Sequence, residues 1–368
     1  MLPQETSAVD YNKIPQRFHK YPASDRAKKI VREAITMDAL FGTAWPVQWS
    51  TPEGPEFHDV MAQMRETGFK VLGINPSADS AGDDFTSAIK ALQFFLKKIN
   101  EHPERYKIVR TTRDIDESIA EGKLGMYFTH QGVNQYGQDL DRVAVFRQLG
   151  YGYCLLAYNS RNWVGDGCFE SENAGLTGMG KLLVDAYNQY GMVLDVSHCG
   201  EKLSLDVCRR SKDPVISSHS GAYAIAPYQR NISDERIKAV ADTGGVCGIN
   251  FVGGFVDLSN PDIVTTEMLF KHIDYMVKLV GIDHVGFGSD WIVDMNQTAS
   301  LMQLPIGQLV FPDNGYSAAM GEKGIPTPSP AQIVPALVDK LLENGYTESD
   351  CKQFLGGNFY RVFKQVWK

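Results

Sequence analysis

Eight times along the chain a short run of apolar and β-branched residues gives way to a longer stretch with apolar residues at i, i+3 and i+4. No single motif constrains the fold as much as that alternation. The strand-like runs fall at about 34–40, 69–75, 122–130, 150–158, 191–198, 213–219, 244–252 and 284–290. Between them lie amphipathic segments such as EFHDVMAQMRET, FTSAIKALQFFLKKINEH, GKLLVDAYNQY, SDERIKAVADT and TEMLFKHIDYMVKLVG. Eight strand-helix units within 368 residues predict an α/β fold, a closed (β/α)8 TIM barrel whose active site lies at the C-terminal ends of the strands. On this reading residues 1–33 are an N-terminal arm and helix, and 34–368 are the single barrel domain. The long segment at about 292–328, rich in Gly, Pro and Met, follows the last strand and is expected to cover the active site or form a dimer contact.

Composition narrows the partners. A net charge of -8 without clustered Lys and Arg gives no reason to expect nucleic acid or an anionic membrane surface. Six cysteines without a CxxC pair favour a reducing cytoplasm. Neither a signal-peptide core nor an uncharged apolar stretch of the roughly 20 residues needed to span a bilayer is present, so neither secretion nor membrane insertion is expected.

The chemistry is concentrated at strand ends. Asp195 and His198 close the fifth run, His219 the sixth, and Ser289 and Asp290 the eighth. Two imidazoles and a carboxylate at one mouth can hold a divalent ion and move a proton to or from its water. Zinc is the first choice for imidazole donors, with manganese, iron and nickel also compatible. Asp195, inside a buried run, reads as a group that orients an imidazole. The pair His272 and Asp274 lies within a helical pattern, where residues two apart do not face one another, and is set aside.

The segments GMVLDVSHCG, DPVISSHSGAYAIAPYQRNISDE, TGGVCGINF, VGFGSD and LGGNFYRVFKQVW resemble those of the membrane dipeptidase (renal dipeptidase-like, peptidase M19) family of amidohydrolases, over roughly residues 34–368. The resemblance implies that His198 and His219 bind metal, that Arg230 grips a substrate carboxylate, and that Asp290 transfers a proton. A guanidinium can hold a carboxylate in a bidentate fork on its own chemistry as well.

The departures from the family are equally specific. Its first strand carries a His-x-Asp pair where this chain has Leu40 and Gly42, within Asp38-Ala39-Leu40-Phe41-Gly42. Its bridging glutamate falls in GMYFTHQG, matched most simply by Tyr127, which is carried as a substrate-pocket residue. His130, three residues further on, is the candidate compensating ligand or base. Tyr158 stands where better-known members have a histidine that stabilises the tetrahedral intermediate, and a phenol can donate a hydrogen bond to an oxyanion. Asn162, Asp166 and Cys168 are candidate pocket residues in AYNSRNWVGDGCFESENAGLTG, with Cys168 expected to be an inert thiol. That stretch resembles a bacterial subgroup that also lacks the first-strand ligands. The expectation is a metal-dependent hydrolase of a small dipeptide-like amide or N-acyl amino acid bearing a carboxylate. It would hold one zinc ion, with a metal-free state as the alternative, and act as a cytoplasmic homodimer. The rival readings are a lyase, decarboxylase or isomerase acting on a small carboxylate, and a catalytically silent carboxylate-binding barrel.

Overall fold

The computed structural model describes residues 19–43, 49, 56–79, 84–293 and 327–368. The arm before residue 19 and most of the 292–328 segment, with its expected role as a cover or dimer contact, lie outside the described residues. Eight parallel strands form the barrel wall in chain order: β1 Met37–Thr43, β2 Val71–Ala78, β4 Leu124–Gln131, β5 Tyr151–Leu155, β6 Val193–Asp195, β7 Val215–Ser220, β8 Val246–Ile249 and β9 Val285–Phe287. Each coincides with one of the eight runs expected from the sequence. A ninth strand, β3 Tyr106–Ile108, pairs only with the start of β4 and lies off the barrel path. At three residues it is too short to show periodicity.

The barrel is finished at the β9–β1 seam, largely by a side chain. Ser289 donates its backbone N–H to Asp38 Oδ1 at 2.8 Å and its hydroxyl to Asp38 Oδ2 at 2.5 Å, and Asp290 donates its N–H to the Leu40 carbonyl at 3.0 Å. Asp38 is fully buried, and burial pushes its carboxyl up to about 8 despite the Ser289 hydrogen bonds that pull it down.

Aromatic side chains fill the opposite end. The helix Asn358–Val366 and the following Trp367 bring Phe363 and Trp367 against Tyr127, with ring centroids 5.3 and 5.5 Å from it. Trp367 Nε1 donates to the Gly152 carbonyl at 3.0 Å, and the hydroxyls of Tyr127 and Tyr153 both donate to the Ala39 carbonyl at 2.8 Å. Gly73 permits this layer: a Cβ there would meet Ala39 O at 2.2 Å and Tyr127 Oη at 2.6 Å. Outside the wall, the helix Asp25–Glu33, capped by Ser24, is tied to the C-terminal helices through Ser24 to Asp339 and Arg26 to Glu348.

A titrating seam has a measurable consequence. The folded value of Asp38 lies above the roughly 3.9 of an exposed aspartate, so the folded chain keeps a proton that the unfolded chain releases. Its contribution to stability is full below about pH 4 and is lost as pH rises through about 8. Urea unfolding at pH 5 and pH 8 should show a smaller loss of stability with rising pH in Asp38→Asn than in the parent. Asp38→Ala, which orphans the Ser289 donors, should lose about 2–4 kcal/mol at pH 5. An unchanged pH dependence in Asp38→Asn would remove Asp38 as the titrating group.

Candidate functional site

Two histidines from neighbouring strands meet at the mouth. β6 ends at Asp195, whose Oδ1 accepts from the backbone N–H groups of Ser197 (2.8 Å) and Ser218 (3.1 Å) and ties the end of β6 to β7. His198 follows with φ +60°, and its carbonyl is held by the N–H of Cys168 at 2.8 Å. Asn159 and Asp290 also have positive φ, +62° and +52°. Left-handed backbone at three non-glycine site residues is strain that the surrounding hydrogen bonds hold in place.

The hydrogen bonds fix where each imidazole keeps its lone pair. His198 Nδ1 donates to Asn159 Oδ1 at 2.6 Å, which leaves the lone pair on Nε2. Gln131 Nε2 donates to His219 Nε2 at 3.1 Å, so the His219 proton sits on Nδ1, 2.6 Å from Ser218 Oγ. The two Nε2 atoms are 3.1 Å apart. Burial holds both rings well below the usual histidine range, with the Arg230 charge adding to the effect, so both are neutral. Two neutral lone pairs converging on one point repel each other and suit a shared cation: donors about 2.0–2.1 Å from a tetrahedral ion stand roughly 3.3 Å apart.

The same geometry fits one ion rather than two. Leu40 is buried in the apolar barrel interior, and a Cβ at Gly42 would meet the Trp291 carbonyl at 2.9 Å. Among the described residues no group of three or more His, Cys, Asp or Glu side chains is placed to hold a metal.

Asp290 lies within reach of the Arg230 charge, and Arg230 in turn is bonded to the His219 carbonyl. Burial pushes the Asp290 carboxyl up to about 6, with Arg230 pulling it back. Arg230 is 1% exposed and donates to two neutral oxygens, Ser220 Oγ at 3.0 Å and the His219 carbonyl at 2.6 Å. Its Nε has no partner among the described residues. A buried guanidinium with only neutral partners is a ready site for an anion. Tyr158 packs on His198, with ring centroids 4.3 Å apart.

Other expected residues are placed elsewhere. Strand β4 alternates, and residues 127, 129 and 131 share one side of it. Tyr127 lies in the aromatic floor, about 13 Å of strand below Gln131 at ~3.3 Å per residue, and does not meet the histidines. The β4 residue that reaches them is Gln131, which corrects the placement drawn from GMYFTHQG. His130 is on the opposite pleat face, its Nδ1 3.2 Å from the Gly132 carbonyl, and is not brought to the pair.

Three loop residues have local roles. Asn162 donates to the Leu156 carbonyl (2.9 Å) and Asp79 Oδ2 (3.3 Å) and accepts from Val164 N–H (2.8 Å), so it knots its loop. Asp166 is paired with Arg161, which holds its carboxyl below the usual range. Burial pushes the Cys168 thiol up to about 11. His272 joins the Ala222 N–H to the Val256 carbonyl, a structural tie. Gln131, Asn159 and Ser218 were not singled out from the sequence. Only the alternation of β4 carried a signal, for Gln131.

A family model described as Membrane dipeptidase (Peptidase family M19) matches residues 24–303. The chain is 24% identical over 359 residues to Dipeptidase tcpJ of Claviceps purpurea (strain 20.1), covering 96% of this chain and 72% of that protein. A solved amidohydrolase from Pseudomonas aeruginosa superposes with a TM-score of 0.78 at 27% identity, covering 93% of this chain and 99% of that one. A metallo peptidase from Rhodobacter sphaeroides, solved with a phosphinate mimic of the dipeptide L-Ala-D-Ala, has a TM-score of 0.72 at 21% identity, covering 91% and 100%.

The role of Asn159 in holding the His198 tautomer predicts that Asn159→Leu lowers affinity for a divalent ion about 10- to 100-fold, the usual effect of losing a group that orients a ligand. Competition against a chelator measures it, and the parent should saturate at one ion per chain.

Proposed function

As a member of the membrane dipeptidase family, peptidase family M19, the chain is a dipeptidase-like hydrolase, and we propose that it cleaves small amides ending in a free carboxylate. His198 and His219 would hold a single divalent ion, taken to be zinc. The observation that carries this reading is the 3.1 Å convergence of two neutral Nε2 lone pairs. Membership of the family favours hydrolysis over the lyase, decarboxylase and isomerase alternatives. A bound ion would supply Lewis acidity toward the amide carbonyl and acidify water.

The chain's own groups take the other tasks. Arg230, buried with neutral partners, receives the substrate carboxylate, and its open Nε is one of the donors that a carboxylate can use. Asp290, at about 6, can take a proton near neutral pH and return it to the leaving amine. Tyr158, beside His198, donates from its phenol to the oxygen on which charge develops. A dipeptide or N-acyl amino acid is the smallest substrate that offers both an amide and a terminal carboxylate. The dipeptide mimic bound by the Rhodobacter sphaeroides metallo peptidase is consistent with that class. All six cysteines are free, which agrees with a cytoplasmic location, and no described helix is long and apolar enough to cross a membrane. A homodimer remains part of the proposal.

Two measurements test the assignment. The base form of Asp290 is the deprotonated one, so kcat/KM should rise with pH through about 6. Asp290→Asn should lose at least about a hundredfold in turnover while keeping its ion. Unchanged turnover would take Asp290 out of the reaction.

Substrate choice is tested with L-L and L-D dipeptides, N-acyl amino acids and their C-terminal amides. Amidation, or Arg230→Ala, should cost about 30-fold or more, as expected for a desolvated charge pair worth roughly 2 kcal/mol or more. Equal turnover of acids and amides would refute the carboxylate requirement.

A further inference from the structure

Each histidine of the pair has a guanidinium bonded to the backbone at or near it. Arg230 donates to the His219 carbonyl at 2.6 Å and to Ser220 Oγ at 3.0 Å, and Arg236 donates to the carbonyl of Val196, two residues before His198, at 3.0 Å. Both arginines are buried. They differ in how their charge is answered. Glu201 stands 4.0 Å from Arg236 Nε, whereas both groups that Arg230 bonds are neutral. Gln131 adds the positive end of an N–H dipole, 3.1 Å from His219 Nε2. The imidazoles are themselves neutral and set no negative charge against these groups.

A divalent ion shared by the two Nε2 atoms lies in the field of the Arg230 guanidinium, and like charges in a buried, poorly screened site repel far more strongly than in water. A carboxylate seated on Arg230 cancels most of that repulsion. We propose that the ion and the carboxylate bind as a pair: a carboxylate on Arg230 raises the affinity of His198 and His219 for a divalent ion, and the ion raises the affinity of Arg230 for the carboxylate by the same factor. This rests on the reading that the histidine pair holds one ion and Arg230 a carboxylate. The two factors must be equal because the four states close a thermodynamic cycle. Arg230 then governs the loading of the ion as well as the seating of the substrate, and the chain takes up its ion most firmly when a carboxylate ligand is present.

The test uses the full chain, with Zn2+ titrated against a competing chelator in butanoate or in butanamide, the chelator being calibrated in each. Butanoate, which has no amide to cleave, should tighten Zn2+ binding about tenfold or more at saturation, and uncharged butanamide should leave it within about twofold. Arg230→Met should by itself bind Zn2+ about tenfold or more tightly than the parent and should not respond to butanoate, while Arg230→Lys, which keeps the charge, should bind as weakly as the parent. Circular dichroism melts check that the variants are folded, and the comparison of butanoate with butanamide in the parent needs no variant. Calorimetry of butanoate binding with and without Zn2+ supplies the reciprocal factor. Equal Zn2+ affinity of the parent in butanoate and butanamide would overturn the coupling, and so would a tightening that persists in Arg230→Met, since the carboxylate would then act on the ion itself. If the coupling is absent while His219→Ala still abolishes Zn2+ binding, the histidine pair stands. Zn2+ affinity unchanged in His219→Ala, or butanoate affinity unchanged in Arg230→Met, would instead overturn the reading of the site on which the coupling rests.

Discussion

The contact on which the rest of the site depends is the pair of hydrogen bonds from Ser289 to Asp38. A parallel barrel must join its last strand to its first, and here, among the described residues, the backbone contributes little more than the Asp290 N–H to the Leu40 carbonyl. The buried carboxyl supplies the remainder. Asp290 is the next residue after Ser289, so the seam that closes the wall also sets the carboxyl where the Arg230 charge acts on it. A looser seam would let the proposed proton carrier drift from the groups it serves, and misplacements of about 1 Å carry large costs in rate.

The site combines a buried cation, two neutral imidazoles and one carboxyl poised near neutrality. Burial and Arg230 act in the same direction on His198 and His219, keeping the lone pairs that a metal needs. On Asp290 they oppose each other: burial raises the carboxyl and Arg230 restrains it, leaving it near 6. Arg230 therefore touches three tasks at once, since its distance from His219 is fixed by a hydrogen bond to that residue's own carbonyl. Lysine in its place would lose the forked geometry that lets one group reach both Ser220 and His219.

Much of this was legible in the sequence because barrels write their active sites at strand ends. The eight apolar runs gave the wall, and His198, His219 and Asp290 stood out as polar residues where each run stopped. The short strand β3 was invisible because three residues carry no period. Tyr127 was misplaced for a different reason: matching by residue type ignored height within the barrel. Counting in twos from Tyr127 leads to Gln131 at the rim and puts His130 on the other face. Asn159 and Ser218 act through single hydrogen bonds across loops and neighbouring strands, and no spacing rule encodes those. That Leu40 and Gly42 cannot serve as donors was plain from chemistry alone, and the Trp291 carbonyl fills the space beside Gly42.

Phe363 and Trp367, stacked with centroids 4.1 Å apart beneath Tyr127, give the barrel a floor. A vessel with one opening imposes a traffic rule. In the proposed reaction, substrate, water and both halves of a cleaved amide would share the same doorway. The carboxylate-bearing fragment of that reaction, held on Arg230, would occupy the doorway until it is released, and its accumulation would slow entry of the next substrate.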